Sequence, residues 1–440
     1  MGQVLISGGT VVDGTGAPAR RADVLLEGDR IVTVGAIDPA TLTTDLARID
    51  AAGCTVMPGL IDAHTHVTLG EPASNDELFF HREPAFAAML AAFNAPKMLQ
   101  AGVTSALDAD GLFEIGPALR DAINSGMVEG PRMACGVHAL LTAVGGTAGR
   151  MIPDSGTAAY AHVVRNRDEM VEVVRRQIKY GADWIKVHAT GRIPGRAGEL
   201  QVWTLDEMKC VVDTAHDLDT PVVAHCRSTS STRDAARAGV DLIYHASFVD
   251  DDGIQAMIDN GSRCCPTWTF LANLSDFGAT VGAAGPAQDL FRNEIEVSAA
   301  KLREAYDAGV RFLCGSETGF SITPVGEWHA REMELFVRYL GLSPMEAIVC
   351  GTRNGAWAVR LDGQVGTLEQ GRLADVLVVD GDPLTDITVL GDRSRFRAVI
   401  SRGRPVDLTR PWPTRTRRAD ETVNPYSTEL LTWNLVNGRR

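Results

Sequence analysis

Two histidines one residue apart, His64 and His66, close the apolar run Gly59-Leu60-Ile61-Asp62-Ala63. On a strand successive side chains alternate faces, so both imidazoles project the same way and can hold one cation. A His-x-His pair alone is common surface decoration. Its weight here comes from chemistry-bearing residues at the ends of other apolar runs. Lys186 lies in Trp184-Ile185-Lys186-Val187-His188, His225 in Val222-Val223-Ala224-His225-Cys226 and His245 in Ile243-Tyr244-His245-Ala246, while Glu317 follows Phe312-Leu313-Cys314-Gly315-Ser316. Imidazole combined with oxygen ligands suits zinc, cobalt, manganese and iron, and zinc is the first expectation.

Bringing these residues to one point requires a fold that converges strand ends. Eight strands are expected, at Thr55 to His66, Thr104 to Asp108, Arg132 to His138, Trp184 to Thr190, Val222 to Cys226, Leu242 to Ser247, Arg263 to Trp268 and Arg311 to Ser316. Helical stretches separate them, such as Asp168 to Tyr180 with apolar residues at three- and four-residue spacing. Thr204-x-x-Glu207 and Ser343-Pro344-x-Glu346 read as capping boxes opening helices. Eight β/α units predict a (β/α)8 TIM-like barrel with its chemistry at the carboxyl ends of the strands. The chain ends read as short strands broken by turns. They predict a composite β-sandwich from residues 1–57 and 364–408 beside a barrel of residues 58–363. Asn273 to Gln288, rich in Gly and Ala, reads as a loop. Residues 409–440, with Pro411, Pro413 and several arginines, are expected to form a C-terminal arm, packed on a neighbouring subunit or disordered.

Composition narrows the partners. At 440 residues with 45% hydrophobic and 22% charged side chains the chain is ordinary for a globular protein. A formal net charge of -14 argues against nucleic acid and against an anionic membrane surface. No apolar run reaches the ~18 residues of a membrane span. The cysteines are scattered without a C-x-x-C pair, and no basic leader opens the chain, so a reduced cytoplasmic protein is expected.

Taken together, Pro58-Gly59-Leu60-Ile61-Asp62-Ala63-His64-Thr65-His66, Ile185-Lys186-Val187, Val223-Ala224-His225, His245 and the stretch Gly371-Arg372-Leu373-Ala374-Asp375 through Asp382-Pro383-Leu384 resemble the metal-dependent amidohydrolase superfamily. The resemblance spans roughly residues 3 to 405. It implies one or two divalent metal ions, with His64 and His66 on the buried ion, His225 and His245 on the exposed one, and Lys186, carboxylated to a carbamate, bridging them. An ammonium repels cations, whereas a carbamate is an anionic oxygen ligand that they accept. The superfamily usually has aspartate where this chain has Glu317, which leaves open whether Glu317 ligates or acts only as acid and base. The resemblance also implies a homo-oligomer.

The implied reaction is cleavage of a C–N bond of an amide, urea or carbamate by metal-activated hydroxide, with Glu317 as proton shuttle and His245 beside it as the second catalytic candidate. Within the superfamily the Glu317 stretch is most similar to phenylurea and molinate hydrolases, and more distantly to prolidase-like and ochratoxin-hydrolysing relatives. The intact His64-x-His66 pair stands against the first of these branches. His138, His188, Arg192 and His329 are candidate substrate-binding residues, whereas His81, His162 and His216 read as helical or peripheral. A peptide-processing role on Xaa-Pro dipeptides or a modified biosynthetic peptide is the main alternative, so the substrate is a small molecule or a short peptide. A non-catalytic scaffold is opposed by the retention of every ligand type.

Overall fold

The computed structural model describes residues 2–146, 152–195, 198–283, 285–423 and 425–438. Parallel strands alternate with helices through the middle of the chain, as the change from period-2 to period-3.6 patterning requires. Leu60–Asp62, Val103–Asp108 and Arg132–Cys135 form one parallel sheet. Six further parallel strands pair in the order Ala161–Val163, Ala139–Leu141, Ile185–His188, Val222–Cys226, Leu242–His245 and Arg263–Cys265.

The strands therefore form two parallel arcs where the sequence predicts one closed ladder. Individual backbone hydrogen bonds cross the gaps. Asp183 N donates to Cys135 O at 2.7 Å, Leu313 N to Cys264 O at 2.8 Å, and Ala63 N to Cys314 O at 2.9 Å. The expected strand at Arg311 to Ser316 is reduced to a single bridge between Cys264 and Phe312. At Gly315 an added Cβ would lie 2.5 Å from Cys265 Sγ and 2.6 Å from His64 Cβ, so only glycine lets this segment approach. The expected first strand splits in the same way. Thr55–Pro58 pairs antiparallel with Val376–Val379, and Leu60–Asp62 turns into the parallel arc. Between them a Cβ on Gly59 would meet Thr104 Oγ1 at 2.1 Å.

Both chain ends enter one eight-stranded sheet instead of a two-sheet sandwich. Its order is Arg404–Pro405, Phe396–Ser401, Val376–Val379, Thr55–Pro58, Gln3–Val11, Arg20–Glu27 and Arg30–Gly35, with Leu46–Asp50 also on Gln3–Val11. The alternation of Val376–Val379 explains why one sheet suffices. Val376 and Val378 join a cluster with Val4, Ile6, Val24 and Leu26, whereas Leu377 and Val379 face the main core with Phe396 and Val399. Both faces are thus covered already.

The two capping boxes form as expected, at Thr204 with Glu207 and at Ser343 with Glu346. Part of the expected 273–288 loop is helical instead, because Trp268–Phe277 and Pro286–Asp307 carry apolar faces that pack on each other. Among the described residues no helix is long and apolar enough to cross a membrane.

The C-terminal arm folds back on its own chain. Leu431 is fully buried, its carbonyl accepts Trp328 Nε1–H at 2.6 Å and its N–H donates to Ser321 O at 2.8 Å. Ser427 Oγ meets Ser321 Oγ at 2.7 Å. The arm therefore pins the loop that follows Glu317. Leu431→Ala is expected to cost about 2–4 kcal/mol, the range for emptying a buried leucine site, read as a lowered urea midpoint. An unchanged midpoint would mean that the arm does not pack in solution.

Candidate metal centre and active site

The strand ends deliver His64, His66, Lys186, His188, His225 and Glu317 to one cavity of about 100 Å³. Leu69, Leu78, Phe79 and Phe320 supply its apolar wall, and Asn75 and Tyr160 its remaining polar groups.

The hydrogen bonds of the first two histidines assign their tautomers. Thr267 Oγ1 donates its proton to Cys265 O at 3.1 Å, so it accepts from His64 Nδ1–H at 3.0 Å. His64 Nε2 is then bare, and it is buried without a hydrogen-bond partner among the described residues. His66 Nδ1 faces the Asp110 carbonyl oxygen at 3.0 Å, which can only accept, and its Nε2 is bare likewise. Asp62 braces this corner: its Oδ1 accepts from His64 N and from Ser316 N, each at 3.0 Å.

Lys186 is almost fully buried, with Nζ 3.0 Å from Asp110 Oδ1 and 4.4 Å from the Tyr244 ring centre. His188 Nε2 lies 3.3 Å from Asp110 Oδ2 and 3.3 Å from Tyr160 Oη. Burial alone would raise the Asp110 carboxyl, but the Lys186 charge, with His66 and His188, holds it well below the usual range.

His225 and His245 meet Nδ1 to Nε2 at 2.9 Å. Leu242 and Tyr244 face the inner cluster and Ile243 the outer core, so strict alternation would send His245 outward. A left-handed backbone at His245 (φ 69°) and Ala246 (φ 47°) breaks the alternation and turns the ring inward. Such a conformation in a non-glycine residue is a cost met by the surrounding structure and is typical of functional positions. Burial, reinforced for His64 by Lys186, for His225 by His188 and for His245 by His225, keeps the three rings neutral at ordinary pH. Neutral imidazole is the form that binds metal.

A divalent cation fits this donor set. One ligating atom each from His64, His66 and Asp110 lies within 4.8 Å of the others. The bare Nε2 of His64 is a buried acceptor that water or metal must satisfy, and a carboxylate with two imidazoles suits the metals of the zinc series.

Glu317 is the cavity's acid. Its φ is 55°, and its N–H donates to His64 O at 2.7 Å, so the backbone turn that presents it is tied to the first histidine. Burial pushes its carboxyl up to about 8, with the Arg227 and Lys186 charges pulling the other way.

The other expected residues separate. His188 lines the cavity. His138 does not: it packs edge-on to His162 with ring centres 4.5 Å apart, and burial lowers it to about 4. His329 lies below the site, with Nδ1 2.6 Å from Asp62 Oδ2 and Nε2 accepting from Gly326 N at 2.9 Å. Arg192 belongs to the strand Thr190–Gly195, and its side chain lies outside the described residues. Sequence reasoning missed Asp110, Glu199 and Tyr160. Asp110 follows Val103 to Leu107, where Thr104 and Ser105 interrupt the kind of apolar run that marks His225. Glu199 and Tyr160 sit in stretches with no such run.

A profile of the amidohydrolase family matches residues 55–406. The ochratoxinase of Aspergillus niger is 28% identical over 411 residues, 88% of this chain and 82% of that protein. Its crystal structure superposes with a TM-score of 0.79 at 25% identity, covering 92% of this chain and 95% of that one. A Xaa-Pro dipeptidase with methionine bound in its active site superposes with a TM-score of 0.79 at 27% identity, covering 92% and 99%. Molinate hydrolase (TM-score 0.75, 22% identity, 95% and 98%) and phenylurea hydrolase B (0.72, 21%, 94% and 100%) share the fold.

Proposed function

Because the chain belongs to the amidohydrolase family, whose members are hydrolases, we propose that it cleaves the amide C–N bond of a small substrate such as a dipeptide or an N-acylated amino acid, using a divalent metal centre. The observation that carries this reading is that His64, His66 and Asp110 each place a ligating atom within 4.8 Å of the others, beside the cavity that His64, His66 and Glu317 line. The likeness to a Xaa-Pro dipeptidase favours amides over ureas and carbamates. In this reading residues 58–363 carry the chemistry, and residues 1–57 with 364–408 form the companion domain.

His64, His66 and Asp110 would hold one ion and His225 with His245 a second, with Lys186, carboxylated, between them. Metal bound there, zinc first among the candidates, supplies Lewis acidity toward the substrate carbonyl and lowers the pKa of water. The protein does the rest. Phe79, Phe320 and Leu78 exclude bulk water and seat an apolar substituent. Glu317, its carboxyl pushed up to about 8, holds a proton that it delivers to the departing amine, and the attacking water returns one to it.

The test is metal content per chain, measured with turnover of Xaa-Pro and other dipeptides, N-acyl amino acids, anilides, phenylureas and thiocarbamates. Dipeptide or N-acyl amino acid cleavage that disappears on chelation and returns with zinc, cobalt or manganese is expected. Cleavage that survives complete metal removal would overturn the metal centre, and turnover confined to phenylureas or thiocarbamates would overturn the substrate class.

A further inference from the structure

Glu199 is fully buried on the hairpin strand Gly198–Gln201, and none of the chemistry above uses it. Its Oε2 lies 2.8 Å from His225 Nε2 and accepts the Thr190 hydroxyl at 2.7 Å, while Oε1 accepts Arg227 Nη1 at 3.3 Å. Three donors converge on one carboxylate, which makes His225 Nε2 the protonated nitrogen and leaves Nδ1 bare. That Nδ1 accepts from His245 Nε2–H at 2.9 Å, a proton that a cation seated between the two rings would displace. Arg227 is in turn fixed by a bidentate pair with Glu294, Nε to Oε1 at 2.9 Å and Nη2 to Oε2 at 2.6 Å, and Ser247 Oγ donates to the same Glu294 at 2.6 Å. The chain Glu294, Arg227, Glu199, His225 thus runs from the long helix Pro286–Asp307 to the cavity. His245 has no such brace: its Nδ1 is buried without a partner among the described residues.

We propose that Glu199 is a positioning residue that locks His225 in the tautomer with a bare Nδ1, and so creates the cation position shared by His225 and His245. The proposal rests on the metal-centre reading. Outer carboxylates that orient ligating histidines are generally worth about 10- to 100-fold in metal affinity. Glutamine is a sharp probe here. With its oxygen toward His225, its NH2 opposes the Arg227 guanidinium. With its oxygen toward Arg227, its NH2 forces His225 Nε2 to accept, which moves the ring proton to Nδ1 and blocks the cation position.

The experiment compares wild type, Glu199→Gln and Glu199→Ala in two readouts. The first is the ring 15N spectrum of the metal-free proteins, with the His225 signals identified by their loss in His225→Asn. The second is zinc stoichiometry and affinity by titration. Wild-type His225 is expected as the Nε2–H tautomer, and both Glu199 variants as shifted toward Nδ1–H. Both variants are also expected to bind one of two zinc ions about 10- to 100-fold more weakly. An unchanged tautomer, or two ions held with wild-type affinity in both variants, would reduce Glu199 to an ion-pair partner of Arg227. If wild type itself takes up no metal, the metal-centre reading fails, while the tautomer readout still decides what Glu199 does.

Discussion

Replacing Lys186 by alanine is expected to lower metal occupancy and to cut turnover by about a thousandfold or more. The cause is more than one lost ligand. Lys186 Nζ is buried 3.0 Å from the fully buried Asp110 carboxylate. Removing the lysine leaves that carboxylate without the ammonium charge that stabilises it. Breaking a buried pair by deleting one partner generally costs about 3–5 kcal/mol, so a lower unfolding midpoint in the metal-free protein should accompany the kinetic loss. The carbamate role makes a second demand. A small carboxylic acid such as acetate or propionate, added to Lys186→Ala, should enter the vacated channel and restore part of the metal content and turnover. Asparagine at position 110 should reproduce the metal loss without this rescue. Undiminished turnover in Lys186→Ala, with about one metal per chain, would mean that His64, His66 and Asp110 suffice and that Lys186 serves only as a counter-charge.

Glu317→Gln should separate catalysis from stability. Loss of a positioned acid and base generally costs about 10²–10⁴ in turnover. Stability should move the other way. The folded carboxyl sits near pH 8, against an ordinary glutamate near 4.5. Between those values the folded protein keeps a proton that the unfolded chain releases. The unfolded state therefore binds fewer protons, and stability falls as pH rises through that window. Glutamine fills the same volume without a charge to desolvate. Metal-free Glu317→Gln is expected to be more stable than wild type by a few kcal/mol at pH 8 and equal to it near pH 4.5. Parallel stability profiles in urea across that range would show that Glu317 is ionised throughout and is not the proton store. A gain in stability with a loss of turnover is the signature of a group kept strained for function.

Several elements of this site follow from local chemistry and were legible in the chain. The apolar runs that precede His64 and His225 and surround Lys186 specify buried parallel strands, because a strand covered on both faces is built mostly of apolar residues. The capping boxes at Thr204 and Ser343 are decided within four residues. The composite sheet was legible in part, because both chain ends carry short strand signals broken by turns. Whether the result is one sheet or two is a matter of what covers its faces, and for Val376–Val379 that is the main core on one side and the Val4 and Leu26 cluster on the other.

What the sequence by itself determined is therefore the set of groups and the periodicity that sends them to strand ends: His64, His66, Lys186, His225, His245 and Glu317, on an alternating α/β chain. Tertiary structure decided which of them point where. Alternation would turn His245 outward, and only the left-handed backbone at His245 and Ala246, sustained by packing from the adjoining strands, turns it inward. His329 and His138 look like His188 in sequence, yet Asp62 captures the first and His162 the second. Asp110 and Glu199 became visible only when the strands brought them within 3.0 Å of Lys186 and 2.8 Å of His225. The physical reason is range. Strand periodicity and capping act over a few residues, whereas a tautomer or a buried ion pair depends on atoms 26 or 76 positions apart in the chain, and only the folded core brings those together.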